Sequence, residues 1–210
     1  MAFRIVDIHT HSLPQVPGTA LTCIGCGPVP EQEGHLLSTG LHPWDIAESF
    51  EPQLDSVEML AANPQVIAIG ECGFDTLKGP NHEIQEKVFV RHVEISEKYG
   101  KPIILHVVKD FDSVTRLRKF LKPSCNWLIH GFRGGVPQME QLFRAGLLVS
   151  FGIRHNEQAL RAVPDDRLFL ETDGKCGIDE VIQAAAQVRG ETPERIESIV
   201  IGNNLRLLCK

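Results

Sequence analysis

The stretch Phe3-Arg4-Ile5-Val6-Asp7-Ile8-His9-Thr10-His11 decides how the rest of the chain is read. It opens with a short β-prone run, Phe3–Ile8, and closes on two imidazoles. A spacing of two projects both rings to one side of a strand, so both can reach one ion. The arrangement recurs. Glu71 follows Val66-Ile67-Ala68-Ile69-Gly70, His106 follows Pro102-Ile103-Ile104-Leu105, His130 follows Asn126-Trp127-Leu128-Ile129, and Asp173 follows Leu168-Phe169-Leu170-Glu171-Thr172. Strands that each end in a metal-binding residue type gather those residues at one end of a sheet, and barrel active sites are built at the C-terminal strand ends.

Working outward, eight runs read as strands: Phe3–Ile8, Ala20–Ile24, Leu36–Leu41, Val66–Ile69, Pro102–Val107, Asn126–Ile129, Leu147–Phe151 and Arg167–Leu170. Glu51–Ala62, Glu83–Tyr99, Ser113–Leu121, Gln138–Arg144 and Asp179–Arg189 carry helical spacing. Thr192-Pro193 reads as an N-cap followed by proline at the first helical position, opening a last helix to Leu208. Strands alternating with helices imply a parallel sheet. The fold class is therefore α/β, a TIM-like (β/α)8 barrel, in one domain over residues 1–210. Such barrels typically need about 250 residues. The shortfall lies between His11 and His42, where no helical pattern occurs, so the first helices are expected to be shortened or missing. An open doubly wound sheet is the alternative, since strand order is not written in the sequence.

Of the 210 residues, 42% are hydrophobic and 23% charged, the profile of an ordinary globular protein. Twenty-seven acidic against 21 basic residues give a net charge of −6, which excludes a general basic field for nucleic acid; any polyanion must be gripped locally. Six cysteines, Cys23, Cys26, Cys72, Cys125, Cys176 and Cys209, are too few for a disulfide scaffold. With no signal peptide and no apolar run near 18 residues, the expected location is the cytoplasm, without a membrane or an obligate protein partner.

Four histidines and two carboxylates suit zinc, manganese or iron better than magnesium, and six ligands exceed the four of one tetrahedral ion, so one or two divalent ions are expected. The segments VDIHTHS (6–12), GLHPWD (40–45), IGECGFD (69–75), PIILHVVKD (102–110), LIHGFRGG (128–135), FLETDG (169–174) and GNNLRLL (202–208) resemble, in order, the motifs of TatD-type metal-dependent hydrolases of the amidohydrolase superfamily. The Gly-Glu-x-Gly-x-Asp element at Gly70–Asp75 and the Glu-Thr-Asp at 171–173 are its most specific parts. The resemblance implies a barrel fold, metal ligands at His9, His11, Glu71, His106, His130 and Asp173, and an association with deoxyribonuclease activity. Two departures fall on the rim. Val107-Val108-Lys109-Asp110 stands where the family usually has Ser-Arg-Asp, and Gly174-Lys175-Cys176-Gly177 replaces Ser-Pro and a longer loop.

Asp173 and Glu71 are the catalytic candidates. Asp173 either accepts a proton from a metal-activated water or is a plain ligand. His42 orients substrate, supports a metal-ligating residue or is a turn histidine, and Asp75 and Trp44 either support the site or serve as cap and wall. Lys109, Arg133, Arg154 and Lys175 follow four different strands and form either a phosphate-gripping rim or ordinary solvated charge. Cys23 and Cys26 read as two buried or loop thiols. Cys72, next to Glu71, should point away from the metals. His35, His82, His92 and His155 read as surface or core residues. The function expected is a divalent-metal-dependent hydrolase of TatD type acting on phosphodiesters, DNA from its 3′ end being the family-derived substrate. A small-molecule ester or amide hydrolase and a non-catalytic metal-binding scaffold are the alternatives.

Overall fold

In the computed structural model, which describes residues 3–208, three short strands follow one another without an intervening helix: β1 (Asp7–Thr10), β2 (Ala20–Cys23) and β3 (Leu36–Thr39). Alternation begins after them. The order is α1 (Glu51–Ala61), β4 (Val66–Asp75), α2 (His82–Tyr99), β5 (Ile103–Val108), α3 (Phe111–Leu121), β6 (Trp127–Ile129), α4 (Val136–Arg144), β7 (Leu147–Val149), α5 (Glu157–Ala162), α6 (Ile178–Arg189) and α7 (Pro193–Leu208). The seven strands pair in parallel in chain order, which excludes the doubly wound alternative.

An eighth segment closes the sheet. Phe151 bridges to Leu170; the Phe151 N–H donates to Phe169 O (2.9 Å), Glu171 N–H to Phe151 O (3.1 Å) and Ile8 N–H to Leu170 O (3.0 Å). Residues 169–171 thus join the end of the sheet to β1. The strand expected at Arg167–Leu170 is displaced because Arg167 ends a 3-10 turn, Asp165–Arg167. Asn203 fixes that turn, donating through Nδ2 to Asp165 O (2.8 Å) and Leu168 O (2.7 Å). The neighbouring Asn204 donates to Ile5 O at 3.0 Å, so the Asn-Asn pair of α7 anchors both the first and the last stave.

The core divides by strand parity. Ile8, Leu21, Leu36, Ala68, Ile104, Leu128 and Phe169 meet inside the barrel, with Leu207 and Leu208 of α7 packed among them. Ile69, Ile103, Leu105, Trp127, Ile129, Leu147 and Val149 face the helices. With a period of two, Ile104 inside puts His106 inside, and Leu128 inside puts His130 inside.

The helices start where their caps place them. Asn81 Oδ1 accepts the Ile84 N–H (3.1 Å), and Gly100 in the left-handed conformation ends α2. Thr192 Oγ1 accepts the Arg195 N–H at 3.3 Å ahead of Pro193. Among the described residues the one α-helix not expected from the sequence is α5, whose cap Asn156 accepts the Ala159 N–H at 3.0 Å. Cys209 lies outside the described residues. Among the described residues no helix is long and apolar enough to cross a membrane.

Candidate metal centre

Glu71 lies on β4 between two glycines that no other residue could replace. Gly70 and Gly73 have φ of +124° and +140°, and a Cβ on either would come within 2.2 Å of a β5 carbonyl, Ile104 O or His106 O. The backbone of β4 therefore presses against β5 and presents the carboxylate to the strand-end histidines. Its two oxygens face different partners. Oε2 lies 3.3 Å from His9 Nε2 and 3.4 Å from His11 Nε2. Oε1 lies 2.8 Å from His106 Nδ1, 2.7 Å from His130 Nε2 and 3.4 Å from His42 Nε2. Asp173 completes the first side, its Oδ1 3.3 Å from His11 Nε2 and 3.7 Å from His9 Nε2.

All six residues expected as ligands from the sequence stand in this cluster. Three sets of donor atoms lie within 4.8 Å of one another: His9, His11 and Glu71; His9, His130 and Asp173; His42, Glu71 and His106. The third brings His42, expected to orient substrate, to support a ligand or to be a turn residue, into ligand distance.

A cation fits the donor set. His9 is fully buried, and neither of its ring nitrogens has a hydrogen-bond partner among the described residues, a costly state for a polar ring unless an ion completes it. Burial would push Glu71 up, but the surrounding His130, His106 and His11 hold it far below the usual carboxylate range. Asp173 is likewise held low against burial, by His11 and Lys175. Asp173, Cys23 and Glu71 push His11 up to about 12, and Glu71 and Glu171 raise His130 against its burial. His9 moves down through burial and the adjacent His130. A divalent cation held here would neutralise the buried carboxylates and compete with protons for the imidazoles.

Behind the ring of histidines stands a second ring of carboxylates. His106 Nε2 is 3.2 Å from Asp75 Oδ2, which also accepts the Trp44 Nε1–H at 2.7 Å. His130 Nδ1 is 3.5 Å from Glu171 Oε1, whose other oxygen accepts the Ser150 hydroxyl. Asp7 accepts the His9 N–H (3.2 Å), the Thr172 N–H (3.1 Å) and the Thr172 hydroxyl (2.7 Å), tying β1 to the closing segment; burial pushes its carboxyl up to about 7. Such partners fix the orientation of metal-binding imidazoles. Sequence reading missed Asp7 and Glu171, although both sit inside motifs it had picked out.

A cavity of about 690 Å³ opens over the donors, with Ile24, Leu41 and Trp44 also in its wall. Cys23 ends β2 on this cavity, its Sγ accepting the Glu71 N–H at 3.3 Å, and Cys26 lies exposed beside it. Cys72 points into the outer core. Arg133, Arg154 and Lys175 line a narrow cleft next to Asp173, and Lys175 pairs with the Asp173 carboxylate. Lys109 does not join them: with φ of +57° it turns the chain into the α3 cap and lines neither opening.

Of the remaining histidines, His35 and His92 are buried, His82 bonds Ser113 and lies 2.9 Å from Asp110 Oδ2, and His155 bonds Gly152 O. His92 is the structural one. Its Nε2 accepts the Leu41 N–H at 2.9 Å while Nδ1–H donates to Val88 O at 2.8 Å, which holds the Gly40-Leu41-His42 turn against α2.

The sequence profile described as TatD related DNase matches residues 30–209. The uncharacterized metal-dependent hydrolase YcfH of Escherichia coli (strain K12) is 28% identical over 203 residues, covering 85% of this chain and 76% of that protein. The 3′-5′ ssDNA/RNA exonuclease TatD of Musicola paradisiaca (strain Ech703) is 34% identical over 155 residues, 67% of this chain and 57% of that one. Among solved structures, the TatD homologue YjjV from Escherichia coli K12 superposes with a TM-score of 0.81 at 17% identity, covering 98% of each chain.

Proposed function

Because the chain belongs to the TatD related DNase family, we propose that it is a metal-dependent hydrolase that cleaves phosphodiesters, removing nucleotides from a 3′ end, at a site bridged by Glu71. The observation that carries this reading is the division of labour at Glu71: each carboxylate oxygen faces its own set of imidazoles, the arrangement that holds two cations side by side. His9, His11 and Asp173 would hold one, and His106 and His130, with His42 in reach, the other. The nitrogen-rich set suits zinc, manganese or iron. Bound there, divalent ions would polarise the scissile phosphoryl centre and make a water acidic enough to attack it.

The chain's own residues do the rest. Asp75 and Glu171 keep His106 and His130 turned inward. Asp173 stays ionised, and its carboxylate takes the proton of the attacking water and passes it to the leaving oxygen. The left-handed backbone at Asp173, with φ of +52°, is a conformation that costs about 1–3 kcal/mol and aims the carboxylate at the donors. Arg133, Arg154 and Lys175 place positive charge where the phosphates of a bound strand would run, which lets a protein of net charge −6 grip a polyanion locally. We place the protein in the cytoplasm, where the free thiols Cys23, Cys26, Cys72, Cys125 and Cys176 stay reduced, with residues 1–210 acting as one catalytic domain.

The test is manganese- or zinc-supplemented turnover of a 5′-labelled single-stranded oligonucleotide beside a panel of carboxylic esters and amides. Stepwise shortening of the oligonucleotide is expected. Cleavage confined to the esters or amides would replace the phosphodiester reading.

A further inference from the structure

Trp44 stands on the wall of the cavity and takes no part in the steps above. It is 47% exposed, whereas Trp127, the other tryptophan, is fully buried in the core. Exposed as it is, the indole is held rigidly. Its Nε1–H donates to Asp75 Oδ2 at 2.7 Å, while Asp75 Oδ1 accepts the N–H groups of Leu77 (2.8 Å) and Lys78 (3.1 Å). One carboxylate therefore fixes both the ring and the turn that carries Lys78. That turn is seated on the Trp44 turn through Gly79, whose φ of +99° leaves no room for a side chain: a Cβ would lie 2.5 Å from Pro43 O. The Lys78 ammonium rests over the ring, 3.7 Å from its centroid. The ring meets His42 and His106 edge to face, at centroid distances of 4.8 and 5.7 Å, which places it beside the donors on Glu71.

A tryptophan that served only as packing would be expected to sit as deep as Trp127. Here a preorganised aromatic ring stays 47% exposed, with the long, flexible Lys78 side chain laid over one face as a displaceable cation, one ring away from where a phosphodiester would be cut. Base-on-aromatic stacking needs that combination, and it tolerates any base because every base has a π face. We propose that Trp44 is the stacking platform for the nucleobase adjoining the scissile phosphodiester, with Lys78 meeting the flanking phosphate. The proposal rests on the phosphodiester reading above and names the part of the substrate that the cavity recognises.

The experiment compares two oligothymidylates, one intact and one abasic at its 3′-terminal residue, in wild type, Trp44→Phe and Trp44→Leu. In wild type the abasic substrate should show a KM about tenfold higher or more, the effect of one lost stack. Trp44→Phe, which loses the Nε1 bond but keeps an aromatic face, should retain most of that ratio, and Trp44→Leu should bring it near one. A merely structural role at Asp75 would lower kcat on both substrates in both variants and leave the ratio alone. A wild-type ratio near one, or one unchanged in Trp44→Leu, would overturn the platform while leaving the nuclease reading intact. Because Trp127 is buried, quenching of tryptophan emission by thymidine monophosphate reports on Trp44 even if no oligonucleotide is cut. Saturable quenching in wild type that is lost in Trp44→Phe supports the platform, and its absence overturns it.

Discussion

His106 and Asp75 form a pair in which the histidine turns Nε2 to the carboxylate at 3.2 Å and so commits Nδ1 to Glu71. The orientation of the ring depends on that carboxylate's charge. Asp75→Asn should therefore weaken divalent-metal affinity by roughly 10- to 100-fold, the usual cost of losing such a support. Competition against a fluorescent chelator measures it; an unchanged affinity would make Asp75 only an anchor for Trp44 and the turn at Leu77 and Lys78.

Asp173→Asn keeps the shape of the side chain and one donor oxygen but cannot accept a proton at neutral pH. At saturating metal, kcat should fall by roughly 10² or more with little change in KM. Turnover close to wild type under those conditions would reduce Asp173 to a ligand.

Arg133, Arg154 and Lys175 share one cleft, so their contribution should be electrostatic and sensitive to salt. Arg133→Glu should raise KM for an oligonucleotide and flatten the dependence of log KM on log salt, since fewer phosphates are neutralised. An equal loss of kcat/KM on a minimal phosphodiester at every salt concentration would show that Arg133 supports the fold instead.

His92 governs stability in acid. Burial lowers it from 6.5 to about 4, because its Nε2 must stay unprotonated to accept the Leu41 N–H. Above pH 6.5 the folded and unfolded forms are both neutral here and the contribution is complete. As pH falls from 6.5 through about 4, only the unfolded chain takes up the proton, and roughly 3 kcal/mol of stability is lost before the effect levels off. His92→Gln should lack this component of the pH dependence in urea melts, whatever its own stability at pH 7. Parallel curves for the two proteins would refute the assignment.

Much of this was legible in the residues. His106 and His130 were legible as residues at the ends of two short apolar runs, Pro102–Leu105 and Asn126–Ile129. Thr192-Pro193 marked a helix start because capping is local chemistry. The missing early helices were visible as a helix-free interval between His11 and His42. What escaped depends on closure of the barrel. Asp7 and Thr172 are 165 residues apart, and nothing in their local sequence says that one carboxylate will bind the other's hydroxyl. Glu171 supports His130 only because residues 169–171 pair with Phe151. The short α5 offers just Ala159 and Leu160 as buried positions, too few to show a period. Lys109 was grouped with the rim by its place after a strand, and a single left-handed residue takes it elsewhere.

The central claim, that Glu71 joins two cation sites, is tested most directly by the metal content of the purified, dialysed protein measured by elemental analysis. Two divalent ions per chain are predicted for wild type. Glu71→Gln, confirmed as folded by circular dichroism, should lose both, because each of its oxygens serves a different set of histidines. Full metal content in that variant, or the clean loss of one ion with the other held at wild-type affinity, would contradict the bridge.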